Sequence, residues 1–150
     1  SVETTGGVHI ALVEAKTKVA LIKKVSLSRL ELCGAHLLAR LVKHLKAVLE
    51  IPTKDIYAYT DSTIVLYWIY GTNRRPKTFK ASVSEIQERL PPERWKHIKG
   101  NENPADAGSC GILPKDIINH DSWWSGPHWL KSDQSTWESK RRHLASEKKI

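Results

Sequence analysis

Three acidic residues stand at positions where folding could bring carboxylates together: Glu31, Asp61 and Asp106. Glu31 falls in the first turn of a predicted helix. Asp61 ends a segment with the alternating pattern of a strand, just before a second predicted helix. Asp106 follows Asn103-Pro104, a pair that favours a helix start. The carboxyl ends of strands in α/β sheets commonly bind ligands, and clustered carboxylates are usually kept for a hard divalent cation. These three acids therefore predict a site for Mg²⁺ or a similar ion.

Each acid also has a purely structural interpretation. On a helical wheel of about 100° per residue, Glu31 lies near the middle of the apolar stripe, where an ionised carboxylate needs a cation or a metal. It could instead curl towards water and complement the helix dipole, and spacing alone leaves both open. Taken singly, Asp61 suits a helix N-cap and Asp106 suits the first turn of a helix.

Other chemistries have little support in the sequence. His36 and His44 lack the i, i+4 spacing of a helical zinc pair and are predicted on the solvated side of their helix. The sequence contains no nucleophile elbow, Walker A loop or dinucleotide fingerprint. Cys33 and Cys110 stand far apart without a CxxC spacing, which fits a reducing, intracellular environment without assigning a compartment.

Alternating strands and helices predict an α/β fold, a sheet flanked by helices. The long helix has the clearest apolar period, and the strands show alternating or β-branched residues. We predict strands at 8–13, 55–60 and 95–98, and helices at 30–49, 62–70, 79–90 and 103–108. A tryptophan-rich basic segment at 114–150 is predicted to be a tail or linker beside a domain at 1–113.

The charge balance favours a polyanionic partner. The 150 residues suit one compact domain and carry 24 Lys plus Arg against 16 Asp plus Glu, a formal net charge of +8. Nucleic acid is the leading partner for such a balance, although many basic domains bind none. No apolar run is long enough for a membrane span, so no membrane partner is expected.

Four sequence blocks occur in an order that resembles a known family. They are KKVSLSRLELCGAHLLARL (23–41), IYAYTDSTIVLYWI (56–69), WKHIKGNENPAD (95–106) and WWSGPHWL (123–130). Together they resemble the ribonuclease H-like region of BEL/Pao retrotransposon polyproteins over residues 8–130. Any block alone would be weak, but the set is specific.

This resemblance implies a five-stranded mixed sheet flanked by helices, in an enzyme that cuts the RNA strand of RNA/DNA hybrids with two Mg²⁺ or Mn²⁺ ions. Glu31 matches the acid of the family's first helix, Asp61 the acid closing its fourth strand, and Asp106 the acid of its NPAD motif. These acids would be both catalytic residues and metal ligands. The basic residues Arg74, Arg75 and Lys77 could follow the hybrid's phosphates, or form a solvated basic loop.

The sequence also departs from the family pattern. The family's first catalytic Asp and its first two strands have no counterpart, and residues 8–13 would be the third strand. Cys110 stands where the family usually has Arg. We therefore expect an N-terminally truncated polyprotein fragment that is inactive alone, with a non-catalytic nucleic-acid-binding remnant as the alternative. Neighbouring polyprotein modules are further expected partners, against which the 114–150 segment would pack.

Overall fold

The computed structural model describes residues 1–19, 25–71, 77–132 and 137. Its contacts divide the chain into two compact units, Lys18–Asn101 on one side and Ser1–Thr17 with Glu102–Ile150 on the other. Both units contain small elements of a mixed α/β structure, which confirms the predicted class. The boundary expected after residue 113 stays a prediction.

The elements are numbered in chain order. The strands are β1 (Val2–Thr4), β2 (Gly7–His9), β3 (Ala58–Thr60) and β4 (Trp95–His97). The helices are α1 (Leu27–Leu49), α2 (Thr63–Tyr70), α3 (Lys80–Arg89), α4 (Asp106–Cys110), α5 (Pro114–Ile117) and α6 (Asp121–Ser125). Within the part of the chain that the structure describes, no helix combines the length and apolarity needed to cross a membrane.

Helix α1 is the longest element of the 18–101 unit, and it packs against α3. Its apolar period places Leu32, Ala35 and Ala39 in the core, where the two alanines keep this face of the helix small. Apolar residues on the neighbouring arc are less protected, and Leu27 and Val48 are largely exposed. The buried stripe is therefore narrower than the apolar arc of the sequence.

Strands β3 and β4 form a two-stranded parallel sheet in the same unit. Ala58 pairs with Trp95 and Thr60 with His97, so both strands end at the same edge. Trp95 is fully buried, together with large aliphatic residues from α2 and α3. The fully buried large side chains are Trp95, Ile69, Ile86, Leu90, Val65 and Val83. This core holds the carboxyl ends of the strands in place beside α1 and α2.

The other unit contains a hairpin, short helices and packed tryptophans. Strands β1 and β2 pair antiparallel through three residues each. The indoles of Trp129 and Trp137 meet edge to face at 6.1 Å, and the Trp124 Nε1 donates to the Ile117 carbonyl at 2.8 Å. A Cβ added to Gly108 would lie 3.2 Å from the Trp123 ring, so the absence of a side chain at Gly108 leaves room for the indole.

The main helices of the 18–101 unit follow the sequence prediction, but the first strand does not. Helices expected at 30–49, 62–70 and 79–90 are observed as α1, α2 and α3. The strand expected at 8–13 is wrong in extent, since the observed strand is Gly7–His9 and residues 10–19 form no regular element. A turn that includes Gly7 at φ 110° sends β2 back onto β1, and the three residues of β1 limit the pairing.

Candidate functional site

Ser62 organises the junction between β3 and α2. Its buried hydroxyl accepts a hydrogen bond from the Val65 backbone N–H at 3.3 Å, which makes Ser62 the N-cap of α2. The Ser62 backbone N–H in turn donates to Thr60 Oγ1 at 3.2 Å. The cap is therefore Ser62 and not Asp61, and the Asp61 side chain is left exposed.

Glu31 reaches the same junction from the second turn of α1, because the helix begins at Leu27 and not at residue 30 as predicted. Its Oε2 accepts a hydrogen bond from Ser62 Oγ at 2.6 Å, and the residue is half-buried. Neither interpretation of the sequence includes this contact, in which a serine hydroxyl donates to the carboxylate. Glu31 is thereby held next to the residue that follows Asp61.

Asp61 lies at the edge where the parallel strands end. The Asp61 carbonyl oxygen is 3.2 Å from His97 Nε2, within hydrogen-bond distance, so the end of β4 contacts the backbone of this acid. A Cβ added to Gly100 would lie 3.6 Å from Asp61 Oδ2. Because Gly100 has no side chain, the space beside this carboxylate stays open. Ligands in α/β folds commonly bind at such an edge.

Asp106 belongs to the other unit, where it is the first residue of α4. It is half-buried, and Asn103 Nδ2 donates to its Oδ1 at 3.2 Å. In the described ranges no group of three or more His, Cys, Asp and Glu side chains is placed to share a metal ion. The convergence of Asp106 with Glu31 and Asp61 therefore stays a prediction.

Of the three predicted basic contacts, the structure locates one. Arg74 and Arg75 lie outside the described residues, and Lys77 is exposed at the start of a 3₁₀ turn that ends at Phe79. The Phe79 ring packs on Trp68 of α2, with centroids 5.0 Å apart and planes at 43°. This aromatic contact anchors the lysine-bearing turn to α2.

A charged cluster between α1 and α3 was not expected from the sequence. His36 Nε2 lies 2.6 Å from Glu85 Oε2, and Arg89 Nη1 donates to the same oxygen at 2.8 Å. The hydrogen bond from His36, and next that from Arg89, lowers the pKa of Glu85 below its usual value. The i, i+4 spacing of Glu85 and Arg89 was a visible signal, but the part played by His36 depends on tertiary packing.

A family model described as the Pao retrotransposon-like RNaseH-like domain matches residues 1–62. This match confirms the resemblance to the BEL/Pao ribonuclease H-like domain. The Pao match includes Glu31, Asp61 and Ser62, and it ends immediately before α2 begins at Thr63. Asp106 and the two later sequence blocks lie outside the Pao match. No curated protein and no solved structure matches the chain.

Proposed function

We propose that the chain is a ribonuclease H-like domain of a retroelement polyprotein that binds RNA/DNA hybrids. In this proposal Glu31 and Asp61 are divalent-metal ligands, and Asp106 is the third acid of the site. The observation that carries it is the hydrogen bond from Ser62 to Glu31, because it holds one acid of the Pao match beside the end of β3 where the other acid stands.

The donor chemistry at this junction suits Mg²⁺ or Mn²⁺. Both ions prefer carboxylate oxygens, and Asp61 is exposed to receive one. Glu31 uses one lone pair to accept the hydrogen bond from Ser62, so its carboxylate keeps further lone pairs that can bind a metal ion. A bound pair of ions would activate the attacking water and stabilise the leaving oxygen. In this chain Glu31 and Asp61 would hold the ions, and Ser62 would orient Glu31.

We further propose that the chain binds hybrids without cleaving them efficiently. Three of the four acids implied by the family resemblance are identified in this sequence, and two-metal catalysis needs both ions held correctly. The net charge of +8 supports attraction to the phosphate backbone whether or not cleavage follows.

Manganese binding tests the metal ligands. Paramagnetic broadening by Mn²⁺ is expected at the amides of Asp61, Ser62 and Gly100. Ser62→Ala should weaken Mn²⁺ binding by about tenfold, because an orienting partner is lost, and Glu31→Gln should weaken it further. Glu88→Gln is the matched control, since Glu88 is an exposed acid on α3. Mn²⁺ broadening that is unchanged in the Glu31→Gln variant would contradict the assignment of Glu31 as a metal ligand.

A cleavage assay tests the proposed lack of activity. With Mg²⁺ and an RNA/DNA hybrid, we expect binding but little hydrolysis of the RNA strand. Robust hydrolysis that disappears in Asp61→Asn would show instead that the chain has an active site.

A second candidate is a nucleic-acid-binding module without a metal site. The basic charge balance favours it, because phosphate neutralisation alone gives salt-dependent affinity. A hybrid affinity that does not depend on Mg²⁺ and is unchanged by Glu31→Gln would support this alternative. If the chain does not bind an RNA/DNA hybrid at low salt, both candidate functions are ruled out.

A further inference from the structure

The backbone passes from β3 into α2 at Asp61. At the end of β3, the Thr60 carbonyl accepts a hydrogen bond from the Ile98 N–H at 3.0 Å. At the start of α2, the Ser62 carbonyl accepts one from the Leu66 N–H at 3.2 Å. The Asp61 carbonyl lies between these two, after the last paired residue of β3 and before the N-cap of α2. Its hydrogen-bond partner therefore has to come from a side chain or from water.

His97 brings a side chain to this carbonyl. In the register of β3 and β4, His97 is the partner of Thr60, so it stands level with the end of β3. Its Nε2 lies 3.2 Å from the Asp61 carbonyl oxygen. Because a carbonyl oxygen only accepts, the His97 Nε2–H is the donor in this contact. The neutral Nε2–H tautomer and the imidazolium both carry this proton, so the contact does not depend on the charge of the ring.

Side chains hold both ends of the peptide group that joins Asp61 to Ser62. The carbonyl end meets His97, and the N–H end donates to Thr60 Oγ1 at 3.2 Å. The preceding peptide group is held by the sheet through the Thr60 carbonyl. Because the two planar peptide groups that flank a Cα atom fix the direction of its Cα–Cβ bond, these contacts set the direction in which the Asp61 side chain leaves the backbone.

Backbone support is important for Asp61 because its side chain is exposed. Its Oδ2 lies beside Gly100, where a Cβ would be 3.6 Å away. A carboxylate on a fixed backbone has fewer arrangements to lose when it binds an ion. Hydrogen bonds behind a metal ligand commonly contribute to metal affinity in this way.

We propose that His97 is a positioning residue of the candidate metal site and acts through the backbone of Asp61. This inference rests on the proposed function and deepens it, because it adds a residue that supports a metal ligand without touching the ion. Ser62 orients the carboxylate of Glu31, and His97 orients the backbone of Asp61. Each of the two proposed ligands in the Pao match thus has its own supporting hydrogen bond.

The chemistry of the ring fits this supporting role better than direct ligation. The Nε2 atom is engaged with the Asp61 carbonyl, and Mg²⁺ and Mn²⁺ favour oxygen ligands over imidazole. The geometry requires an N–H donor at this position and not an imidazole as such. A glutamine, whose side-chain amide also donates, should therefore replace His97 in this role.

The carbonyl ¹³C resonance of Asp61 tests the contact in the metal-free full chain. His97→Leu keeps a bulky side chain without a donor, whereas His97→Gln keeps an N–H donor. We expect the Asp61 resonance to shift in His97→Leu and to stay near its wild-type position in His97→Gln. His44→Leu, which removes an exposed histidine of α1, is the matched control and should leave the resonance unchanged.

Titration with Mn²⁺ tests the consequence for the metal site. His97→Leu should weaken Mn²⁺ affinity by about fivefold, because a hydrogen bond that supports a ligand is lost. His97→Gln should stay within about twofold of wild type, and this rescue separates the donor from the bulk of the side chain. Circular dichroism checks the fold of each variant, and His97→Ala is the second variant without a donor.

Three results would overturn the inference in different ways. Equal Mn²⁺ affinity of wild type, His97→Leu and His97→Ala would remove the role of His97 and leave the proposed metal site supported by wild-type binding. Equal loss of Mn²⁺ affinity in His97→Leu and His97→Gln, with the Asp61 resonance unshifted in both, would mark His97 as a direct ligand instead. Absence of Mn²⁺ binding by the wild-type chain would remove the proposed site itself, even if the Asp61 resonance shows the contact.

Discussion

The Ser62 hydroxyl donates to Glu31 Oε2 at 2.6 Å while it accepts from the Val65 backbone N–H. One oxygen thus joins the second turn of α1 to the start of α2. This link explains why a carboxylate near the apolar stripe of α1 is tolerated, because a half-buried charge needs a hydrogen-bond donor.

Replacing Ser62 should therefore remove two hydrogen bonds at once. Ser62→Ala is expected to lower the free energy of unfolding by about 1–3 kcal/mol, since a helix cap is lost and Glu31 loses its donor. Urea denaturation measures the change. Ser84→Ala, at an exposed position within α3, is the control and should stay within about 0.5 kcal/mol of wild type. Equal effects of the two variants would contradict the bridging role.

The cluster of His36, Glu85 and Arg89 predicts a pH dependence of stability. Hydrogen bonding from His36 and then Arg89 lowers the pKa of Glu85 from its usual 4.5. Because the unfolded state then binds the proton more tightly, this contribution is present above pH 4.5 and is lost as the pH falls through the folded-state pKa. Glu85→Gln should thus be less stable than wild type at neutral pH and equally stable in acid.

Urea denaturation across this pH range measures the effect, with Glu88→Gln on the same helix as the control. A stability difference between wild type and Glu85→Gln that stays constant with pH would argue against the ion-pair cluster. High salt should shrink the difference at neutral pH, because the groups are partly exposed.

Two glycines of the 18–101 unit should respond to alanine in opposite directions. A Cβ at Gly34, within α1, would meet no described atom within 4 Å apart from its chain neighbours and the nearby backbone of its own helix, so Gly34→Ala should stabilise the protein by about 0.5–1 kcal/mol. A Cβ at Gly71 would lie 2.8 Å from the Tyr67 carbonyl oxygen, so Gly71→Ala should be destabilising. Thermal denaturation compares the two variants. A change in melting temperature of the same sign in both would contradict the different environments inferred for the two glycines.

The small residues on the buried face of α1 predict intolerance of bulk. Ala39 is fully buried where α1 packs in the core, so Ala39→Leu should cost about 1–3 kcal/mol through overpacking. Ala47→Leu, at an exposed position of the same helix, should be nearly neutral. Chemical denaturation of both variants separates helix propensity from packing, and a neutral Ala39→Leu would show that space remains.

The sequence predicts the local parts of this fold well. The periods of α1 and α3 and the turn signals around α2 are short-range, and the structure has these helices within a few residues of their expected bounds. The strand expected at 8–13 fails because β propensity does not say where a partner strand ends. Strand length is decided by pairing, which the sequence of one segment does not contain.

The candidate site also has parts that the sequence predicts and parts that depend on tertiary packing. Glu31 and Asp61 were identifiable from their positions, but the Ser62 bridge spans 31 residues of sequence and His36 reaches Glu85 across 49. Such contacts exist only after α1 has packed on α2 and α3. The role of Asp106 as a third ligand stays a prediction, as do the basic contacts of Arg74 and Arg75.

The shared oxygen of Ser62 also makes a backbone proton in one helix sensitive to a side chain of another. Any cation that binds the Glu31 carboxylate would change the hydrogen bond between this carboxylate and Ser62 Oγ, and would therefore change how strongly the same oxygen protects the Val65 amide. The rate at which this single amide exchanges with deuterated solvent would then serve as an internal gauge of occupancy at the neighbouring carboxylates.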